Sequence, residues 1–194
     1  MKKFFIILLI FNLYNSYAYS ISPDAFVQST VNRASQILSK NITKEKKINE
    51  LKIIAKNTVD IKGVGYYSLG SARKKLNENQ IKRYFELFES YFLKSFSSRL
   101  SEYTNPKIEV YGKEILNANY TIVNSLLIGT SERPEVKIDW RVYTKNPKDP
   151  LIRDLIIEGL SLARTQKEEF SSIINSNDGN INALFKVLEE FSNR

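Results

Sequence analysis

Three carboxylates, one serine and a group of glycines are the residues of this sequence best suited by type to chemistry. Asp139, Asp154 and Glu158 lie on consecutive apolar-rich segments. Carboxylates brought about 5 to 10 Å apart on neighbouring strands serve as acid and base in glycoside hydrolysis. Asp139, however, stands on the polar side of its segment, and Arg141 and Arg153 are near in sequence, so salt-bridged sheet surface is the expected outcome. Glu158-Gly159-Leu160-Ser161 ends on a serine but lacks the second glycine of a nucleophile elbow, which leaves Ser161 as a helix cap. Gly63-x-Gly65 with Gly70 lacks the GxGxxG spacing, and no strand precedes it as a phosphate cradle requires. These glycines are expected instead to let backbones pack closely or to kink a helix.

The composition narrows the chemistry further. The 194 residues contain no cysteine and no histidine. That excludes disulfides, thiol nucleophiles, the Ser-His-Asp and Cys-His arrangements, the usual zinc sites and the commonest general base. Catalytic residues: none are assigned. Metal ligands: none are assigned.

The elements that would position any site follow from periodicity. Met1-Lys2-Lys3 before the apolar run Phe4–Leu13, with small residues around Ser16-Tyr17-Ala18, has the order of a secretory signal peptide. About ten apolar residues are short for a membrane span, which needs about 20. The expected division is a signal peptide over 1–18 and a single domain over 19–194, outside the cytoplasm. Losing Lys2 and Lys3 takes the net charge of +8 to +6. The Lys and Arg residues are dispersed, so no nucleic acid partner is expected; an anionic membrane surface or an acidic protein fits better.

Ser22-Pro23-Asp24 starts a helix over about 23–39, and Thr43 caps a second running toward Asp60. Residues 63–70 are short, glycine-punctuated and aromatic. Asn77 with Gln80 makes a capping box for a long helix through about residue 103. Its stripe holds Phe85, Phe88, Phe92 and Phe96 at helical spacing, an arrangement that serves a core as readily as a cavity wall. From Pro106 the period becomes two: Ile108 and Val110, then Tyr120 to Ile128, then Val136, Ile138, Trp140 and Val142, then Leu151 to Glu158. Short turns between these segments predict an α+β fold with an antiparallel four-stranded sheet packed against several helices. Two further helices follow Ser161 and Asn180.

Taken in order, Asp60, Leu69-Gly70, Tyr84-Phe85-x-x-Phe88-x-x-Tyr91-Phe92, Phe96, Leu100 and Tyr103 resemble the MlaC, or toluene-tolerance, family of periplasmic phospholipid-binding proteins. Val136-Lys137-Ile138-Asp139-Trp140 fits the same pattern, as does Asp154-x-x-x-Glu158-Gly159-x-Ser161. The likeness spans nearly all of residues 19–194. It departs at Ser71-Ala72-Arg73, where the family often has aromatic and basic residues, and at Pro150, where it often has Trp.

The resemblance implies a carrier with an apolar lipid pocket and no catalysis of its own. Such carriers pass glycerophospholipid between an outer-membrane lipoprotein complex and an inner-membrane ABC transporter lipid-transfer complex, with no cofactors beyond the bound cargo. Two acyl chains of about 16 carbons, at about 0.8 kcal/mol per CH₂, ask for burial on the order of 20 kcal/mol. The residues expected to line the pocket are Phe85, Phe88, Phe92 and Phe96; Val136, Ile138, Trp140 and Val142; Val123 and Leu127, chosen over Leu126; and Ile108, Val110, Leu155, Ile157, Val64 and Tyr67. A hopanoid or other isoprenoid carrier and a periplasmic adaptor module without transport are the alternatives.

Overall fold

The computed structural model describes residues 20–131 and 133–193. The signal segment expected over 1–18 lies outside them. Among the described residues, six α-helices and one antiparallel sheet run in the order α1 (Pro23–Ser39), α2 (Lys44–Thr58), α3 (Ile61–Ser68), α4 (Glu78–Leu100), β1 (Ile108–Asn117), β2 (Tyr120–Leu127), β3 (Val136–Tyr143), β4 (Leu151–Ile157), β5 (Leu160–Ser161), α5 (Leu162–Asn175) and α6 (Ile181–Asn193). The sheet has five strands in sequence order rather than four. The fifth is a two-residue extension, because the chain reverses at Glu158-Gly159 with both residues at positive φ and lays Leu160-Ser161 against the end of β4.

Local chemistry explains the helix starts. The Thr43 hydroxyl accepts from the Lys46 amide. Asn77 and Gln80 exchange side-chain and backbone bonds in the expected capping box. Ser161 accepts from the Arg164 amide, so it is a cap as its context suggested. Residues 61–68 differ from the sequence reading: this stretch is helix, begun by Asp60, whose Oδ1 accepts from the Gly63 amide at 2.8 Å.

Three apolar clusters hold the molecule. One joins α3, α4, α5 and α6 around Tyr84, Phe88, Phe170, Leu184 and Phe185. A second joins α1 to one face of the sheet through Val27, Val31, Val123, Trp140, Val142 and Ile152. The third packs α1 on α2 through Ile37, Leu38, Leu51 and Ile54. The free edge of β1 is partly closed from within. The Gln28 side chain on α1 donates to the Ile108 carbonyl and accepts from the Val110 amide at 3.0 Å.

Candidate functional site

The inner face of the sheet is built by register. Ile108 pairs with Leu127 and Leu127 with Val136; Val123 pairs with Trp140 and Trp140 with Leu155; Ile138 pairs with Ile157. Side chains alternate across a strand, so all of these share one apolar face with Val110 and Val142. Burial along that face is uneven. Val123 and Val142 are fully buried and Trp140 nearly so, under α1 and Val59. Ile108, Val110, Leu127, Val136, Leu155 and Ile157 are only half-buried. One polar pair is set into this face and fully satisfied: the Trp140 indole donates to Ser125 Oγ at 2.8 Å, and Ser125 Oγ donates to the Ile138 carbonyl at 2.9 Å.

The long helix α4 is linked to the sheet mainly through neighbouring helices. It packs on α2, α3 and α6, and no strand is among the elements it packs on substantially. Two ties connect it to the sheet layer. At one, the helix α3, which also packs on β4, presses Gly65 against the rings of Phe88 and Phe85, so close that a Cβ there would lie 2.7 Å from Phe88. At the other, Arg133 of the β2–β3 loop lies over the ring of Tyr103, just past the end of α4. Between the ties run Phe92 and Phe96, stacked at 5.6 Å and both half-buried. From Phe88 to Leu100 the helix rises about 18 Å at 1.5 Å per residue. That compares with about 15 Å for one leaflet of a hydrocarbon core about 30 Å thick.

Helix α3 is fixed by charge as well as packing. Asp60 Oδ2 accepts from Arg153 Nε at 2.7 Å and pairs with its terminal nitrogen at 2.6 Å. Arg153 also donates to the Tyr120 hydroxyl and lies 3.9 Å from the Tyr143 ring centroid. Burial disfavours the guanidinium charge, but hydrogen bonding and attraction from Asp60, with help from Tyr120, outweigh it and raise its pKa above the ordinary value.

The family model for the MlaC protein matches residues 28–190, most of the chain. The chain belongs to the MlaC family. Among solved structures, this MlaC chain is similar to a phospholipid-binding protein from Ralstonia solanacearum, determined in complex with a phospholipid. The identity is 19%, the TM-score 0.74, and the likeness covers 89% of this chain and 97% of that one. At that identity the likeness establishes the α+β fold. A comparison with curated proteins returns no match.

The structure sorts the expected lining residues of the MlaC chain into groups. All ten sheet residues share the inner face, and Leu126 points to the other side, paired with Lys137. Phe85, Phe92 and Phe96 lie on the half-buried strip of α4. Phe88 is 1% exposed and turned into the helical core, edge-on to Phe170. Val64 likewise belongs to that helical cluster rather than to the sheet face. Tyr67 departs from the expectation: it is 41% exposed on the outer side of α3, with Lys167 Nζ 5.3 Å above its ring.

Tyr67 lines a hollow of about 570 Å³ with Arg164, Lys167, Glu168, Ser171, Ser172 and Asn175, which is polar-walled and unlike an acyl-chain pocket. A second hollow, about 440 Å³, sits on the opposite face of the sheet among Tyr111, Leu126, Glu135, Lys137 and Glu158.

Sequence reasoning missed Val27, Val31 and Ile152, all buried against the inner face. The first two sit one position round the helix from Phe26 and Thr30, so the buried face of α1 is wider than a single stripe. Ile152 was hidden by a bulge. Arg141 pairs with Asp154 and Val142 with Ile152, so Arg153 is an extra residue and Ile152 faces inward along with Leu155.

The carboxylates have structural roles. Asp154 is 5% exposed, accepts from Ser161 and the Ala163 amide, and lies 3.5 Å from Arg141. Asp139 accepts from Asn124 and pairs loosely with Lys137, while Glu158 accepts from the Lys137 amide. Among the described residues, no group of three or more acidic, His or Cys side chains is placed to hold a metal ion.

Proposed function

We propose that this protein is a phospholipid carrier of the bacterial periplasm. Acyl chains lie between the half-buried residues of the sheet's inner face and the Phe92–Phe96 strip of α4, with the headgroup left near the surface. The observation that carries the reading is the uneven burial of that face. Six apolar side chains stay partly exposed on that face, and α4 packs substantially on no strand, so the face offers a surface whose natural cover is an apolar guest. The family assignment and the phospholipid held by the structurally similar Ralstonia protein support the same cargo. In this reading the chain enters the periplasm by its N-terminal signal and shuttles glycerophospholipid between an outer-membrane lipoprotein complex and an inner-membrane ABC transporter complex. It performs no catalysis, and any ATP is hydrolysed by the transporter.

The test is purification without detergent, followed by native mass spectrometry and extraction of the bound species. A stoichiometric glycerophospholipid, exchangeable with labelled phospholipid, is the expected result. A protein that arrives lipid-free and neither takes up nor releases labelled lipid would defeat the proposal. A hopanoid or other isoprenoid in the extract would keep the carrier and change its cargo.

A further inference from the structure

The outer side of α3 carries a feature that tail binding does not use. Tyr66 and Tyr67 are consecutive and exposed, and each has a cation over its ring: Arg73 at 4.8 Å from the first centroid and Lys167 at 5.3 Å from the second. The second arrangement depends on Gly70. Its φ of +56° turns the chain there, and the aliphatic stem of Lys167 crosses where a side chain would stand, with Cε 3.1 Å from the ideal Cβ position. Exposed Lys62, Lys74 and Lys75 flank the tyrosines in sequence, and exposed Arg164 lines the 570 Å³ hollow beside Lys167, Ser171 and Ser172. Among the described residues, none of these six cations makes an ion pair, although eight other cations do. Glu168 is the one carboxylate in the wall of the hollow.

Amphipathic tyrosines beside unpaired cations suit the boundary between headgroups and water. A hollow walled by two cations and two hydroxyls suits a phosphate oxyanion. We propose that the α3–α5 face is a docking surface for anionic phospholipid membranes, and that the hollow between Tyr67, Arg164 and Lys167 seats the phosphate of one headgroup in the bilayer. This site lies outside the inner-face region, and its test is distinguishable from that of cargo binding because membrane association and lipid content are measured separately.

The experiment is co-sedimentation of the purified protein at low ionic strength with phosphatidylcholine vesicles, with and without phosphatidylglycerol. Binding is expected only where phosphatidylglycerol is present. Each basic residue near an anionic surface contributes about fivefold, so the Arg164→Gln/Lys167→Gln variant should bind about thirtyfold more weakly. A Lys44→Gln/Lys46→Gln variant loses the same charge from the exposed start of α2 and should retain most of the affinity. Unchanged melting temperature and bound-lipid content would show that both variants fold and carry cargo. Equal weakening of the two variants would reduce the effect to diffuse charge and overturn the site. So would wild-type protein that ignores anionic vesicles, or that binds inorganic phosphate through Arg164 and Lys167 without binding vesicles.

Discussion

Truncating Phe96 and truncating Phe88 should have different consequences, although both rings lie on α4. A fully enclosed phenylalanine hides about 200 Å². At about 25 cal/mol per Å² its removal costs about 5 kcal/mol, the upper end of the 3–5 kcal/mol typical of core Phe→Ala changes. Phe88, 1% exposed and packed on Tyr84, Phe92 and Phe170, should suffer that loss in full. Phe96 is partly exposed, with about two thirds or more of its surface buried, and has Phe92 as its ring partner, so Phe96→Ala should cost the empty protein about 3 kcal/mol. Its uncovered part, at most about 70 Å², is what the proposed acyl chain would cover, worth up to about 1.8 kcal/mol or about twentyfold in affinity. Urea unfolding of delipidated protein measures the first quantity, and release of fluorescent phospholipid to acceptor vesicles measures the second. Phe88→Ala should lower the unfolding midpoint strongly. Phe96→Ala should lower it less and release lipid up to about twentyfold faster. If Phe96→Ala destabilises as much as Phe88→Ala and leaves lipid release unchanged, the strip is solid core and the reasoning fails.

Gly65→Ala should destabilise by about 1 kcal/mol in the same urea assay. The usual helical gain of about 1 kcal/mol for Ala over Gly is outweighed by overpacking worth about 1–3 kcal/mol against an immobile Phe88. An alanine variant as stable as the parent would show that Phe88 can yield. Hydrogen bonding from Lys113, reinforced by Ser22, lowers the Asp24 pKa from 3.8 to about 2. The lowered value means that this carboxylate stabilises the fold above about pH 3.8 and loses that contribution as pH falls through about 2. Because both side chains are largely exposed, the effect on stability should be small. A carboxyl NMR titration should show the Asp24 midpoint near 2, returning toward 3.8 in Lys113→Met; an ordinary midpoint in the parent would contradict the pairing.

Trp140→Arg is a poor probe of lipid binding in this structure. Trp140 is 7% exposed and donates its indole proton to the buried Ser125, so a guanidinium there would be charged and unpaired inside the α1–sheet core. Unfolding is the expected result. Leu155→Arg, at the half-buried edge of the same row, is the variant that separates cargo loss from collapse.

Most of the element order was legible because it rests on local signals: the Asn77–Gln80 box, the Phe stripe of α4 and the strict alternation from Val136 to Val142. Helix α3 was not. Two glycines in eight residues cost about 1 kcal/mol each in a helix, so local propensity reads as loop. Distant partners supply the difference: Arg153 braces the cap Asp60, and the Tyr84 hydroxyl donates to the Gly65 carbonyl. The inward position of Ile152 was illegible for a related reason, since a bulge is a property of the pairing and not of the strand alone. Tyr67, expected to line the pocket, lies instead on the outer side of α3. Its outward position depends on where α5 places Lys167, more than ninety residues later.

The amide of Gln28 has a consequence at the scale of many molecules. An open strand edge is a template on which a second chain can nucleate, and growth of that kind is hard to reverse. By meeting the Ile108 carbonyl and the Val110 amide, Gln28 imitates the neighbouring strand that β1 lacks, so an intruder finds no free bonds there. Beyond Gly112 this imitation ends. Ile115 and Leu116 stand exposed, with Lys113 turned toward Ser22 and Asp24. The chain thus carries its own stopper at the end of β1 nearest the half-buried rim, and self-association through this edge would have to begin at the other end.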